Sequence, residues 1–202
     1  MKSSIERWRI LISRTFALAL IGLILVTESH WQIKSPLFGS VLSCLGVMLA
    51  GVAALGRMWC SLYIAGYKTN KLITEGPYSM TRNPLYFFSF LGAVGIGLVT
   101  ETFFLPLVIL IGFAIYYPLV IRSEEGKLLK QHNAEFEDYF RKTPRFFPNF
   151  FALVEPHEYE VKPKAFRKNI YDAVWFIWIL GLLQIIEQLR VLHILPTYFT
   201  FY

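Results

Sequence analysis

Apolar runs close to the length of a bilayer crossing recur along this chain, at residues 10–26, 37–55 and 103–121, with a shorter one at 85–99. Runs of that length read as helices surrounded by lipid, and several of them in 202 residues read as one compact membrane bundle. The expected fold is an all-α, polytopic membrane helical bundle of about four to five transmembrane helices, with an amphipathic helix on its cytoplasmic side. Between the 37–55 and 85–99 runs lies Glu75-Gly-Pro-Tyr-Ser-Met-Thr-Arg-Asn-Pro-Leu-Tyr86. Gly76-Pro77 breaks regular structure there, and Pro84 pushes Asn83 out of the helical region. Irregular backbone at membrane depth is tolerated only where protein buries it or where it lines a cavity. The stretch is therefore a candidate binding site; the competing reading is an interfacial loop that merely joins two spans.

The charges bound the function classes. Net charge is +6, yet only 17% of residues are charged, against about 25% in an average soluble domain. The basic residues collect at the ends of the apolar runs, which reads as topology signals and contacts to anionic lipid, not as a nucleic-acid surface. Residues 1–14, 57–82 and 122–168 are basic, whereas the turns at 27–35 and 100–102 carry only Lys34. Positive-inside counting places the N-terminus, the 75–86 stretch and the segment after 121 on the cytoplasmic side. The protein is thus expected in a membrane as a multi-pass chain, the inner membrane if the source is bacterial. Lys2, Arg7 and Arg9 ahead of the first run, with Arg14 near its start, resemble a signal peptide's start, but no small-x-small cleavage site follows, so the run reads as a retained span. Cys44 and Cys60 form no CxxC, and His30, His132, His157 and His193 are scattered, so neither a metal site nor a disulfide framework is expected.

The second run is rich in small residues, among them Gly39, Gly46, Ala50 and Gly51, which lets neighbouring helices approach closely. Arg57 closes it, and 58–67 reads as an interfacial continuation. Residues 85–99 and 103–121 are joined by three residues and read as a helical hairpin, with Pro118 expected to kink its second arm towards the 75–86 stretch. Residues 122–140 place Leu128, Leu129, His132, Phe136, Tyr139 and Phe140 at helical spacing with charges on the remaining face, an amphipathic helix. A last apolar run, 173–186, is short for a span. The expected divisions are 1–66 for N-terminal membrane helices, 67–150 for a core carrying the loop, hairpin and amphipathic helix, and 151–202 for a C-terminal extension. Taken singly, the polar residues have plain roles. Glu124-Glu125 suit a helix start favoured by the macrodipole, Arg82 suits a snorkelling anchor, and Tyr78 and Tyr86 suit an interface.

Their order is more specific. Gly76-Pro-Tyr78, Arg82-Asn-Pro-Leu-Tyr86, the hairpin, Glu124-Glu125, Glu135-Phe-Glu-Asp-Tyr139 and Arg145-Phe-Phe-Pro148 follow one another. That series resembles the isoprenylcysteine carboxyl methyltransferase family and its phospholipid methyltransferase relatives over residues 63–148. The resemblance implies an integral-membrane enzyme that uses S-adenosylmethionine, with a cofactor pocket in the C-terminal half open to the cytosol and a lateral opening for a lipidic or prenylated acceptor. It implies cofactor contacts at Asn70, Lys71, Leu72, Ile73, Tyr78, Asn83, Pro84, Leu85 and Tyr86, with Glu124 and Glu125 beside them. Glu124 and Arg82 are then the candidate catalytic residues, Glu124 binding the cofactor ammonium or orienting the acceptor. The implied partners are membrane lipids and the acceptor, with no nucleic acid and no metal.

Two positions depart from the family's pattern. Its usual histidine is Asn83 here, which hydrogen-bonds but does not titrate, so no general base is read there. The family's arginine four residues before the glutamate pair is Val120, with Arg122 the nearest cation. The expected reaction is carboxyl O-methylation of a lipidic acceptor. The alternatives are phospholipid amine N-methylation, a nicotinamide-dependent membrane reductase of similar core, and a non-enzymatic membrane protein.

Overall fold

The computed structural model describes residues 4–67 and 71–202, with side chains at Leu11, 15–32, 34–67 and 71–202. Among these residues the chain is an all-α membrane bundle with one short two-stranded ribbon. Helix α1 spans Ser4–Val26, β1 Thr27–Ser29, α2 His30–Lys34 and α3 Pro36–Ile64. The short α4, Pro77–Met80, lies inside the irregular stretch, and α5, Pro84–Val99, follows it. Helix α6 is Phe104–Lys142, α7 is Pro163–Val191, and β2 is Phe199–Phe201. Three described helices, α3, α6 and α7, are long and apolar enough to cross a membrane. Their exposed faces carry large apolar side chains such as Leu45, Leu55, Ile115 and Trp178, an arrangement suited to lipid contact.

The bundle centres on α3 against α5, with α7 packed on α3 and α6 on α5. Small residues make the central contact possible. A methyl added at Gly46 would lie 2.5 Å from the Gly95 carbonyl oxygen, so the two backbones touch where side chains would hold them apart.

Three elements differ from the sequence expectation. Helix α3 does not stop near residue 55 but continues to Ile64, which puts Arg57 inside it. The segment after residue 121 is not a separate helix, because α6 runs on through Pro118 and Arg122. The non-helical dihedrals fall instead at Asn133 (φ 44°, ψ −119°), where the last turns, carrying the amphipathic Phe136 and Tyr139, change direction. The final apolar run is longer than 173–186: Pro163 starts α7 at a position where its missing N–H costs nothing, and the helix extends for 29 residues.

At the end of α5 away from the 75–86 stretch, the C-terminal residues close the bundle. β2 pairs in parallel with β1, and the Tyr202 carbonyl accepts the Phe103 and Phe104 amides at the start of α6. Ser29 Oγ donates to the Glu101 carbonyl (2.7 Å), and Gln32 Nε2 donates to Glu187 Oε1 (2.7 Å).

Candidate functional site

The irregular stretch is held in place by the chain that follows α6. Gly76 has φ +60°, a conformation that favours glycine, and a side chain there would run into the Tyr63 ring. Its amide donates to the Val154 carbonyl (2.8 Å), and the Asn149 amide donates to the Met80 carbonyl (2.9 Å). The Arg82 amide donates to the Pro144 carbonyl (2.9 Å), Asn83 Nδ2 to the Arg145 carbonyl (2.9 Å), and the Tyr139 hydroxyl to the Tyr78 carbonyl (2.7 Å). Polar backbone that Gly76, Pro77 and Pro84 deny to a helix thus finds partners in residues 139–154.

Glu125 stands at the centre of this junction. Arg82 Nε meets Glu125 Oε1 at 3.0 Å and Arg145 Nη2 meets Oε2 at 2.7 Å, so both carboxylate oxygens are paired, and only 9% of the side chain is exposed. Arg82 also donates to the Phe140 and Thr143 carbonyls and lies 3.9 Å from the Phe140 ring centre. A charge this deeply buried is tolerable only when paired and hydrogen-bonded on every side, as it is here. One helical position earlier, Glu124 is half-buried and acts electrostatically on Tyr117. Tyr117 in turn meets Tyr86 edge-on at 5.0 Å and stacks on Phe113 at 4.0 Å. Phe113, Phe90, Phe146 and Phe87 continue the aromatic group between α5, α6 and the loop after α6.

Beside Glu125 a cavity of about 410 Å³ opens between the two parts of α6 and Arg145, lined also by Arg122, Leu129, Phe136 and Phe140. Among the expected contact residues, Glu125 alone lines it. Arg82, Asn83 and Tyr78 reach the same junction through residues 139–145, and Tyr86 meets Tyr117 of α6. Leu72 is buried against Phe136 and Tyr139, and Ile73 against Tyr63 and Tyr78, so their side chains serve packing. Lys71 is exposed, with Nζ 6.0 Å from the Tyr159 ring centre. Pro84 is buried at the first turn of α5, Leu85 is half-buried, and Asn70 lies outside the described residues. Burial drives the Tyr78 phenol well above its usual range, so it stays protonated, and its oxygen is buried without a hydrogen-bond partner. Arg145, Tyr117 and Phe146 are the site residues that sequence reasoning passed over. The Arg145-Phe-Phe-Pro148 motif was the available signal for two of them.

The segment that builds this junction is also the segment with recognisable kin. The family model for phospholipid methyltransferase matches residues 35–135, from α3 through the irregular stretch and hairpin to the second part of α6. The chain belongs to the phospholipid methyltransferase family. This family of membrane methyltransferases is the one that the ordered motifs resemble, and Arg82, Asn83, Glu124 and Glu125 all lie inside the matched region, whereas Arg145 lies beyond it. The chain is 38% identical over 191 residues to the nickel-cobalt-cadmium resistance protein NccN of Alcaligenes xylosoxydans xylosoxydans, covering 95% of this chain and 86% of that protein. It is 37% identical over 186 residues to the cobalt-zinc-cadmium resistance protein CzcN of Cupriavidus metallidurans, covering 92% and 81%. No solved structure matches. Among the described residues, no three His, Cys, Asp or Glu side chains are grouped to hold a metal ion.

Proposed function

We propose that this member of the phospholipid methyltransferase family is a multi-pass S-adenosylmethionine-dependent methyltransferase, its site facing the cytoplasm, that methylates the carboxylate of a lipidic acceptor. The observation that carries the reading is the Arg82–Glu125–Arg145 network, which ties the irregular stretch and α6, both matched by the family model at Arg82 and Glu125, to Arg145 just beyond the matched segment. The residues present fit the cofactor. The cavity of about 410 Å³ falls in the usual range for small-molecule sites, and Arg145 Nε is buried there without a partner. Arg122 and Arg145 suit an amino-acid carboxylate, and the aromatic faces around Tyr86, Tyr117 and Phe113 suit a sulfonium. The family resemblance assigns Glu124 to the ammonium, and residues 71–73, Tyr78 and 83–86 to the remaining contacts.

The cofactor, when bound, supplies an electrophilic methyl group. The protein contributes positioning and exclusion of water. Glu125 keeps Arg82 and Arg145 in place, and the aromatic group shields the reacting centre. A carboxylate acceptor attacks as it stands, and attack on a sulfonium methyl needs no Lewis acid, so the transfer is read as metal-independent. The second reading is N-methylation of a phospholipid amine, favoured by the description of the matching family. An amine must first lose a proton, for which Glu124 is the candidate base. Esterifying a carboxylate removes a negative charge from the membrane surface and with it a ligand for divalent cations, the kind of ion named for the two relatives.

Calorimetric titration of the detergent-purified chain with S-adenosylhomocysteine tests the cofactor, and saturable binding is expected. Incubating membranes with methyl-labelled S-adenosylmethionine tests the transfer: label should enter the lipid extract. Mild base releases it as methanol from an ester but leaves an N-methyl group intact. Absence of both binding and labelled lipid would sink the methyltransferase reading.

A further inference from the structure

Arg57 is a cation of the bundle interior that the site described above does not use. It projects from α3, donates through Nη1 to Ser89 Oγ on α5, and has its guanidinium carbon 5.9 Å from the Phe176 ring centre on α7. Its Nε is buried with no hydrogen-bond partner, and no carboxylate pairs with it among the described residues. Ser89 does not neutralise it, because that hydroxyl already donates to the Leu85 carbonyl (2.6 Å) and offers only a neutral oxygen. The Tyr78 phenol oxygen on α4 is likewise buried without a hydrogen-bond partner. The guanidinium keeps donors beyond the one that Ser89 receives.

Depth adds a second argument. Arg57 lies about 32 Å along α3 from Pro36 at 1.5 Å per residue, close to the thickness of a hydrocarbon core of about 30 Å. It stands at headgroup level yet turns inward, towards Ser89 and Phe176, where an anchoring arginine would reach out to water. An ionisable group held inside a membrane bundle without a partner is costly, which is why such groups mark ligand sites. A planar guanidinium with free donors selects a carboxylate or phosphate. Val120, where the family's arginine is expected, is buried and apolar, so this chain lacks that cation at its usual place.

We propose that Arg57 holds the oxyanion of an acyl-chain amphiphile that enters between the helices at headgroup depth. This rests on the reading above only in taking that amphiphile as the methyl acceptor; the anion site itself stands on the geometry of Arg57. Whether the oxyanion is the carboxylate to be methylated or a headgroup phosphate is a matter for the probe.

The test uses the whole chain in dodecyl maltoside, titrated with laurate, dodecyl phosphate and dodecanol as probes of equal chain length. Wild type should bind at least one of the two anions about tenfold or more tighter than dodecanol, the scale of a lost charge-assisted contact. Preference for laurate identifies a carboxylate and preference for dodecyl phosphate a phosphate. R57Q should abolish the discrimination, and R57K, which keeps the charge but loses the fork, should retain only part of it. S89A, which leaves the guanidinium in place, keeps the test decisive if R57Q does not fold: anion preference should persist in S89A and fall in R57K. Equal binding of anion and alcohol by wild type, or undiminished anion preference in R57Q or R57K, overturns the proposal. S-adenosylhomocysteine binding measured on the same wild-type sample reports separately on the methyltransferase reading.

Discussion

Adjacent glutamates on a helix point about 100° apart, so Glu124 and Glu125 cannot share one role. Glu125 is closed in by Arg82 and Arg145, and its replacement leaves the buried Arg82 and the partly exposed Arg145 short of their counter-charge. Glu125→Gln should therefore destabilise the protein by about 3–5 kcal/mol, visible as a lower melting temperature in detergent. Glu124→Gln should leave melting within about 1 kcal/mol of wild type and act on function instead. If Glu124 holds the cofactor ammonium, S-adenosylhomocysteine affinity falls by about 1.5–3 kcal/mol; if it serves the acceptor, affinity holds while turnover falls about 10²-fold. Unchanged affinity together with unchanged turnover would remove Glu124 from the site. The glutamate pair and Arg82 were legible in the sequence as a motif. Which glutamate faces the arginines was not, because that depends on the helix phase and on Arg145 arriving from twenty residues away in the chain.

What brings Arg145 back is the break in α6. Asn133 adopts φ 44° and ψ −119°, dihedrals that glycine accepts freely and a side chain resists. Asn133→Gly should raise stability by up to about 1 kcal/mol, whereas Asn133→Ala should lower it by a similar amount, as thermal melts of the two variants would show. If both variants melt alike, the turn is not fixed at that residue. Sequence pattern located the amphipathic turns correctly, since Phe136 and Tyr139 are buried and Glu135, Glu137 and Asp138 are exposed. It misplaced their boundary, because proline at 118 is the stronger textual signal and nothing local marks asparagine at 133 as the bend. The length of α7 was underestimated for a related reason. Asp172 and Glu187 cut the apolar run short on paper, whereas the helix carries both, Glu187 paired with Gln32 and Arg190.

At the scale of the molecule, small-residue packing, membrane residence and all-α character were readable from composition and period. The closure of the far end was not, because it joins residues at opposite ends of the text. That closure responds to pH. Burial, with the Glu187 charge second and Gln32 opposing, raises the Glu101 carboxyl above its ordinary value. A raised value means that the folded state favours the protonated form. The stabilisation is complete below the ordinary glutamate range and is lost as pH rises through the raised value. Melting temperature should therefore decline as pH rises above the ordinary glutamate value of about 4, and Glu101→Gln should flatten that slope; an unchanged slope in the variant would assign it elsewhere. The ribbon of β1 and β2 also has a history in time. Its partners, Thr27 with Phe199 and Ser29 with Phe201, are separated by nearly the whole chain, so a ribosome must release the last strand before the first can pair. Non-local parallel pairing is slow to form, since the entropy of closing so large a loop is lost before any contact compensates it. During synthesis the α1 end of the bundle waits open until α7 has been made. Trp31, edge-on to Tyr202 at 5.6 Å, is a built-in clock hand for that final event, its emission changing when the last residues dock.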